Sequence, residues 1–318
     1  MLKMAIVVFA FYAIYLKLVE NSGLDISEFI QFSKQNQLFS AKTVLFLVFL
    51  SAINWFLEIV KWKILVGSTL KINLVSAAEQ SLGALTASII TPNRIGEYGA
   101  KAIYYRAKNR KPIVALNFLG NMMQMSTTVI FGVFGLILFQ QHHQTEVFNI
   151  NPYKLTAIVC ALIMMSLLIL KLRKVEIKGL FVRLISVGQK SKGLSLQKLK
   201  GFYKQINRQI YLKGIGLSIM RYLVFSFQFY ILLKLLGSST NYMESMMTIS
   251  TMYLLASVIP SILIFDVIIK GSIAVYLFTL SGLNSIVVLS VVTLMWLLNV
   301  AFPSILGSYF VLNFKLPK

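Results

Sequence analysis

The chain has 318 residues, of which 57% are apolar and only 13% are charged. Soluble globular domains carry about 25% charged residues, and so apolar a chain cannot stay unburied, so a soluble domain and a disordered chain are both excluded. The formal charge of +21 would suit nucleic acid, but on a membrane protein it indicates cytoplasmic loops rich in lysine and arginine. The composition therefore predicts an integral membrane protein with no nucleic-acid partner.

Six apolar segments are long enough, alone or with short flanks, to cross a hydrocarbon core of about 30 Å. No cleavage signal follows the first segment, so we interpret it as an uncleaved helix. The sequence thus predicts an all-α polytopic membrane protein that forms a single integral membrane domain over residues 1–318. The six predicted spans are Met4–Leu16, Val44–Val60, Ile113–Phe139, Leu155–Leu170, Ile215–Leu236 and Ile286–Leu312.

Basic residues are concentrated in alternate loops. Twelve lie within residues 171–213, whereas residues 140–152 and 237–243 contain none. The positive-inside rule therefore places the basic loop and both termini in the cytoplasm, beneath a bacterial inner membrane. Two interpretations of this loop remain open: an amphipathic helix that lies on anionic lipid, or a solvated loop that only sets the orientation of the chain.

Two further segments, residues 73–105 and 245–280, must each begin and end on the same side of the membrane for this topology to hold. Each contains a proline near its middle, Pro92 or Pro260, where a continuous helix would lose a backbone hydrogen bond. Both segments are therefore predicted to be re-entrant helical hairpins. Because three spans separate them, the hairpins should enter from opposite faces, as in the inverted-topology repeats of many transporters.

The two hairpins carry the same pattern of charges after the proline. Glu97 is followed by Lys101, and Asp266 by Lys270, so that each acid can pair with a lysine on one helix face. One interpretation makes the acids carriers of protons or cations, or receivers of an amine-bearing headgroup. The other makes the four residues solubilising pairs at the hairpin tips, and the sequence does not choose between the two.

The densest polar motif runs from Thr91 to Glu97. Thr91 is a good N-cap and Pro92 suits the first helical position, so a helix is predicted to begin there. The positive end of that helix and the forked Arg94 guanidinium would together bind a phosphate, while Gly96 leaves room for close approach. The alternative is an Arg94–Glu97 ion pair that only holds the broken helix in place.

Other ionisable residues lie in or near the spans. Arg221 is inside a span, where its side chain could snorkel to the interface, but a partner such as Asp266 would suit it better. Glu58, Trp55 and Trp62 lie near the inner end of another span, where an interfacial belt is predicted.

Little in the sequence indicates catalysis or a cofactor. His142 and His143 have no carboxylate at ligand spacing, so no metal site is predicted. Glu79 lies in the first hairpin, and the sequence leaves open whether its side chain faces a cavity. No nucleotide-binding loop, nucleophile elbow or paired-cysteine site is present, so neither a cofactor nor a catalytic residue is predicted.

The stretch from Thr91 to Glu97 resembles the lysylphosphatidylglycerol synthase transmembrane-region family, also called flippase-like, and the span layout extends this resemblance over nearly the whole chain. In the second hairpin the family commonly has a Pro-Gly-Gly-type turn before an acid, whereas this chain keeps only Pro260 and Asp266. The residues that carry the resemblance are Pro92, Arg94, Gly96 and Glu97, which match Pro-x-Arg-x-Gly-Glu, together with Asn54-Trp55 and Lys61-Trp62.

The resemblance implies that the membrane region moves an aminoacylated phospholipid between leaflets, while a cytosolic domain of the bifunctional members makes that lipid. Because this chain stops at Lys318, directly after the last span, we expect no aminoacyl-transfer domain and no synthase activity. We expect instead a protein that binds an anionic phospholipid or lipid-linked headgroup and translocates it. The candidate binding residues are Thr91, Pro92, Arg94, Gly96, Glu97, Lys101, Arg221, Asp266 and Lys270.

Two other functions remain open at this stage. One is a membrane-embedded transferase for a lipid-linked substrate, with Glu97 or Asp266 as base, and the other is a cation-coupled transporter of a small solute. The sequence also leaves open whether copies of the chain form a homo-oligomer.

Overall fold

A computed structural model of the protein describes residues 40–89, 91, 94–143, 206–259 and 266–316, without the side chains of residues 266 and 267. All regular elements in this described part are helical. Several predictions lie outside it, namely the spans Met4–Leu16 and Leu155–Leu170, the residues Pro92 and Pro260, and most of the basic loop.

Nine α-helices are present in the described residues, and a π-helical turn joins the last two. They are α1 (Ala41–Val66), α2 (Leu74–Ser88), α3 (Ile95–Ile103), α4 (Ala107–His143), α5 (Arg208–Leu235), α6 (Tyr242–Val258), α7 (Asp266–Leu280), α8 (Ser285–Trp296) and α9 (Phe302–Asn313), with the π turn at Leu297–Ala301.

Four of these elements are long and apolar enough to cross a membrane: α1, α4, α5 and the continuous α8–α9 rod. They contain three of the four predicted spans that fall on described residues, and the fourth, Ile215–Leu236, extends one residue beyond the end of α5. Helix α5 begins at Arg208, one residue after the cap Asn207, whose side chain accepts a hydrogen bond from the Gln209 amide. The last residues of the predicted basic loop 171–213 therefore overlap the first turns of this helix.

The two segments predicted as hairpins are each a helix, a break and a second helix. Helices α2 and α3 flank the first break, and α6 and α7 flank the second. Helix α2 packs against α9, and α3 packs against α4, while α6 packs against both α4 and α7. The helices that flank both breaks therefore pack against helices long enough to cross a membrane.

Glycines set the closest helix contacts. A Cβ atom at Gly132 or Gly135 of α4 would lie 2.5 or 2.6 Å from a Cβ atom of α6, so these helices touch along their backbones. A Cβ atom at Gly307 of α9 would overlap the carbonyl oxygen of Leu82 in α2. Small residues at such contacts are typical of helix packing in membranes, where close backbone approach replaces the hydrophobic effect as the driving force.

Helix α3 begins at Ile95, and the prediction that Thr91 caps it with Pro92 as its first residue is wrong. The reason is Arg94, which occupies the N-cap position in the left-handed region at φ 57°, so the helix can start only after it. Thr91 still serves the helix, because its hydroxyl accepts a hydrogen bond from the Gly96 amide at 3.0 Å. A Cβ atom at Gly96 would lie 2.8 Å from the Thr91 methyl group, so the space beside this glycine is taken by a side chain of the same segment.

Candidate functional site

Arg94, Glu97 and Lys101 form a charged cluster at the first break, which we call the α3 triad. Glu97 lies between the two cations, with Arg94 Nη2 2.8 Å from Oε2 and Lys101 Nζ 2.7 Å from Oε1. Lys101 also donates a hydrogen bond to Asn117 Oδ1 at 2.9 Å. The predicted pairings of Glu97 with Lys101 and of Arg94 with Glu97 are thus both present. Glu97 and Lys101 are buried, whereas the Arg94 side chain remains 33% exposed.

Glu58, Lys61 and Arg221 form a second cluster of the same composition, which we call the α1 triad. Arg221 Nη1 donates to Glu58 Oε2 at 2.6 Å, and Lys61 Nζ lies 2.7 Å from the same oxygen. Arg221 thus finds its acidic partner in α1, while the side chain of the expected partner Asp266 lies outside the described ones. Glu58 and Lys61 are not among the candidate site residues predicted from the sequence. An acid and a base three residues apart within an apolar run could have indicated them.

The prediction of an interfacial belt at Glu58, Trp55 and Trp62 is wrong, because all three side chains are buried among helices. Trp62 instead links the two triads: it follows Lys61 in sequence, and its ring centroid lies 4.2 Å from Lys101 Nζ. A cation held over an aromatic face is stabilised most where water is excluded.

Gln80 is a hydrogen-bond acceptor shared by two aromatic side chains beside these triads. Trp62 Nε1 and the Tyr105 hydroxyl both donate to Gln80 Oε1, at 2.8 and 2.7 Å. Burial raises the pKa of Tyr105 to about 12, so the phenol keeps its proton and remains a donor at neutral pH. The orientation of Trp62, and with it the contact to Lys101, is therefore fixed by two neighbouring elements.

The π turn between α8 and α9 supplies free carbonyl groups to α1. Pro303 has no N–H, so the carbonyl oxygen of Asn299 lacks its ordinary helical donor and accepts a hydrogen bond from Trp55 Nε1 at 3.0 Å. The neighbouring Leu298 carbonyl oxygen accepts a hydrogen bond from the Ser51 hydroxyl. Single π turns inside α-helices are frequent at functional sites, and this one holds the last span against α1.

The side chain of Asn299 extends this contact to Arg221. It accepts from Asn54 Nδ2 at 2.8 Å and donates to Gln228 Oε1 at 2.9 Å. Asn54 in turn accepts from Arg221 Nε at 3.1 Å. Three spanning elements therefore fix the guanidinium of Arg221 through buried amides. The sequence gives only a weak indication of this network, namely that Pro303 follows Asn299 by four residues within an apolar run.

A cavity of about 620 Å³, which we call the central cavity, opens beside the two triads. Arg94 and Arg221 both line it, as do Glu97 and Lys270, so four of the predicted residues come together. Val258 and Ile259, at the second break, also border this space, so both breaks meet one cavity. Its polar lining includes Asn54 and Asn121, and its apolar wall includes Met122, Met125, Phe225, Phe229, Met252 and Trp296.

The other predicted site residues take different positions. Lys101 is buried and does not line the cavity, but it donates a hydrogen bond to Glu97, which does. Thr91 and Gly96 shape the start of α3 and do not line the cavity. Pro92, and the side chain of Asp266, lie outside the described residues.

Two smaller features lie away from the central cavity. Glu79 faces a separate pocket of about 230 Å³ with Tyr104, Tyr309 and Lys315, which answers the question that the sequence left open.

At the far end of α4, the ligand atoms of His142, His143 and Glu244 lie within 4.8 Å of one another. The sequence has no carboxylate at ligand spacing from these histidines, and it is the packing of α6 that brings Glu244 to them. These three residues are the group in the described part of the chain that could hold a metal ion.

Comparison with known proteins identifies the family. The family model described as lysylphosphatidylglycerol synthase TM region matches residues 1–307, so the chain belongs to that family. No curated protein and no solved structure gives a significant match.

Proposed function

We propose that this member of the lysylphosphatidylglycerol synthase TM region family binds an anionic phospholipid or lipid-linked headgroup in the central cavity and translocates it across the bacterial inner membrane. The observation that carries the proposal is the excess of positive charge in the two triads. Within each triad the glutamate is already paired with a lysine, so the arginine is the unbalanced charge. Both arginines line the cavity, and ionisable groups inside a membrane are costly enough to be functional by default.

The donors of Arg94 support an anionic ligand. Its Nη2 bonds Glu97, but its Nε is buried and has no hydrogen-bond partner among the described residues. A buried donor left without an acceptor costs about 1–3 kcal/mol, so an acceptor from a ligand would stabilise this arrangement. A phosphate oxygen is a suitable acceptor, since the guanidinium fork matches phosphate geometry.

The remainder of the cavity wall suits the glycerol and upper acyl region of a lipid. Methionine side chains are flexible and adapt to irregular apolar partners, and Met122, Met125 and Met252 all line the cavity together with aromatic side chains. Such sites combine an apolar wall with a few placed polar groups, which fix the orientation of the ligand.

For the topology, we propose six spans, two re-entrant hairpins of opposite orientation and cytoplasmic termini. The charge distribution between loops and the meeting of both helix breaks at one cavity support this arrangement. Rocking of the two halves around the fixed site would then expose it to each leaflet in turn. Glu97 would hold Arg94 in place, and it is a poor candidate for a catalytic base because two cations already engage its carboxylate. We therefore propose a non-enzymatic role.

Translocation of a fluorescent anionic phospholipid in proteoliposomes tests this proposal. Arg94→Ala should slow translocation strongly, because it removes one of the two unbalanced charges. Arg106→Ala, which removes an exposed arginine from the α3–α4 connection, is the matched control and should be unaffected. Equal rates for Arg94→Ala and the parent protein would defeat the assignment.

The same vesicles separate the other candidate functions. Chelator-sensitive conversion of labelled lipid into a new product would indicate a transferase. Ion-driven uptake of a small solute without any lipid requirement would indicate a solute transporter. Either result would replace lipid translocation as the function of the cavity.

A further inference from the structure

We infer that the central cavity selects a headgroup with two negative charges, that is, a terminal phosphate monoester or a pyrophosphate, over a phosphodiester headgroup with one. This inference rests on the proposed function and names the class of lipid that the same cavity takes. It starts from the composition of the two triads, which is identical although they are built from different elements.

Each triad contains one acid and two bases, so each carries one unbalanced positive charge. The acid–lysine pairs are almost completely buried, with exposures of 4% and 1% for Glu97 and Lys101 and of 9% and 2% for Glu58 and Lys61. The arginines are the exposed members, at 33% for Arg94 and 17% for Arg221. Neither lysine of the two pairs lines the cavity, whereas both guanidinium groups do, together with Glu97 and Lys270.

These two charges lie beside a wall that is mostly apolar. Trp55 and Trp296 line the cavity together with methionine and phenylalanine side chains. Charges in such surroundings interact more strongly than in water, and an uncompensated one is costly. A ligand with one negative charge would leave one guanidinium uncompensated, whereas a ligand with two would balance both.

The available donors also suit a terminal phosphate. Arg221 uses Nη1 for Glu58 and Nε for Asn54, and Arg94 uses Nη2 for Glu97. Arg94 Nε and further guanidinium hydrogens thus remain for the ligand. A phosphate monoester presents three terminal oxygens and a phosphodiester two, so the monoester offers the two guanidinium groups one more acceptor and one more negative charge.

The titration of the headgroup provides a test that needs no variant. The second pKa of a phosphate monoester is about 6, while a phosphodiester does not titrate near neutral pH. The charged groups that face the cavity in the described residues are Arg94, Glu97, Arg221 and Lys270, and Lys270 already has an interaction partner. The histidines of the described part lie at the end of α4 and do not line the cavity. A pH dependence limited to the monoester therefore reports the charge of the headgroup.

The experiment measures binding of phosphatidic acid and of phosphatidylglycerol with the same acyl chains to the purified full-length protein, between pH 5.5 and 7.5. We expect phosphatidic acid to bind about tenfold or more tightly at pH 7.5, and this preference to fall toward equality at pH 5.5. Phosphatidylglycerol binding should stay nearly constant over the range and serves as the control for titration of the protein.

A charge-removing variant gives a second, independent readout. Arg221→Gln should abolish the preference for phosphatidic acid while some binding of both lipids remains, and Arg106→Gln should retain the preference. Equal affinities at pH 7.5, or a preference that is independent of pH, would overturn the inference but leave the anion site in place. Absence of binding by both lipids would instead reject the proposed function itself.

Discussion

Replacing Glu58 by Gln tests whether the α1 triad is held by a shared carboxylate. Glu58 Oε2 lies 2.7 Å from Lys61 Nζ and 2.6 Å from Arg221 Nη1, so its loss leaves two largely buried cations without their counter-charge. Removing one partner of a buried ion pair costs about 3–5 kcal/mol. Lys61→Met should cost clearly less, because Arg221 still neutralises Glu58 and the apolar side chain suits the buried position.

The assay is unfolding in detergent, followed by tryptophan fluorescence, for Glu58→Gln, Lys61→Met and a control. Lys63→Met is the matched control, because Lys63 is exposed two residues further along the same helix. We expect Glu58→Gln to be much less stable than Lys61→Met, and Lys63→Met to equal the parent. Equal losses for Glu58→Gln and Lys61→Met, or no loss for Glu58→Gln, would refute this account of the triad.

Three further predictions concern the backbone and the π turn. Arg94→Gly should be about 1–2 kcal/mol more stable than Arg94→Ala in detergent unfolding, since only glycine adopts the left-handed region without strain; equal stabilities would contradict this. Gly307→Ala should lose at least about 1–3 kcal/mol by forcing α9 away from α2, whereas Gly216→Ala, with open space around it, should not; matching values would remove the packing argument. Trp55→Phe should cost about 1–3 kcal/mol, because the Asn299 carbonyl loses its donor, and an unchanged unfolding midpoint would exclude that role.

The parts of the fold that could be predicted from the sequence are those set by local composition. The apolar runs located α1, α4, α5 and the α8–α9 rod, because length and hydropathy decide which helices can cross a bilayer. The charge spacing of Glu97 and Lys101 gave their ion pair, since residues four apart share a helix face. The exact start of α3 could not be predicted, because arginine has no preference for the left-handed conformation that Arg94 adopts.

The parts that could not be predicted depend on residues distant in sequence. Glu58 near an end of an apolar run fits an interfacial position as well as a buried one, and only the approach of Arg221, 163 residues away, distinguishes them. The amides of Asn54 and Asn299 are 245 residues apart, and they form a hydrogen bond only because α1 packs against the last span. Glu244 similarly joins the histidines of α4 through packing alone.

The central claim is that two arginines hold an anionic lipid headgroup in the cavity between the helix breaks. Native mass spectrometry of the protein purified from its membrane tests this most directly, by measuring the mass and stoichiometry of retained lipid. We predict retained anionic phospholipid on the parent protein and on Arg106→Gln, and its loss from the Arg94→Gln/Arg221→Gln double variant. Retention of the same lipid at unchanged stoichiometry by the double variant would contradict the claim.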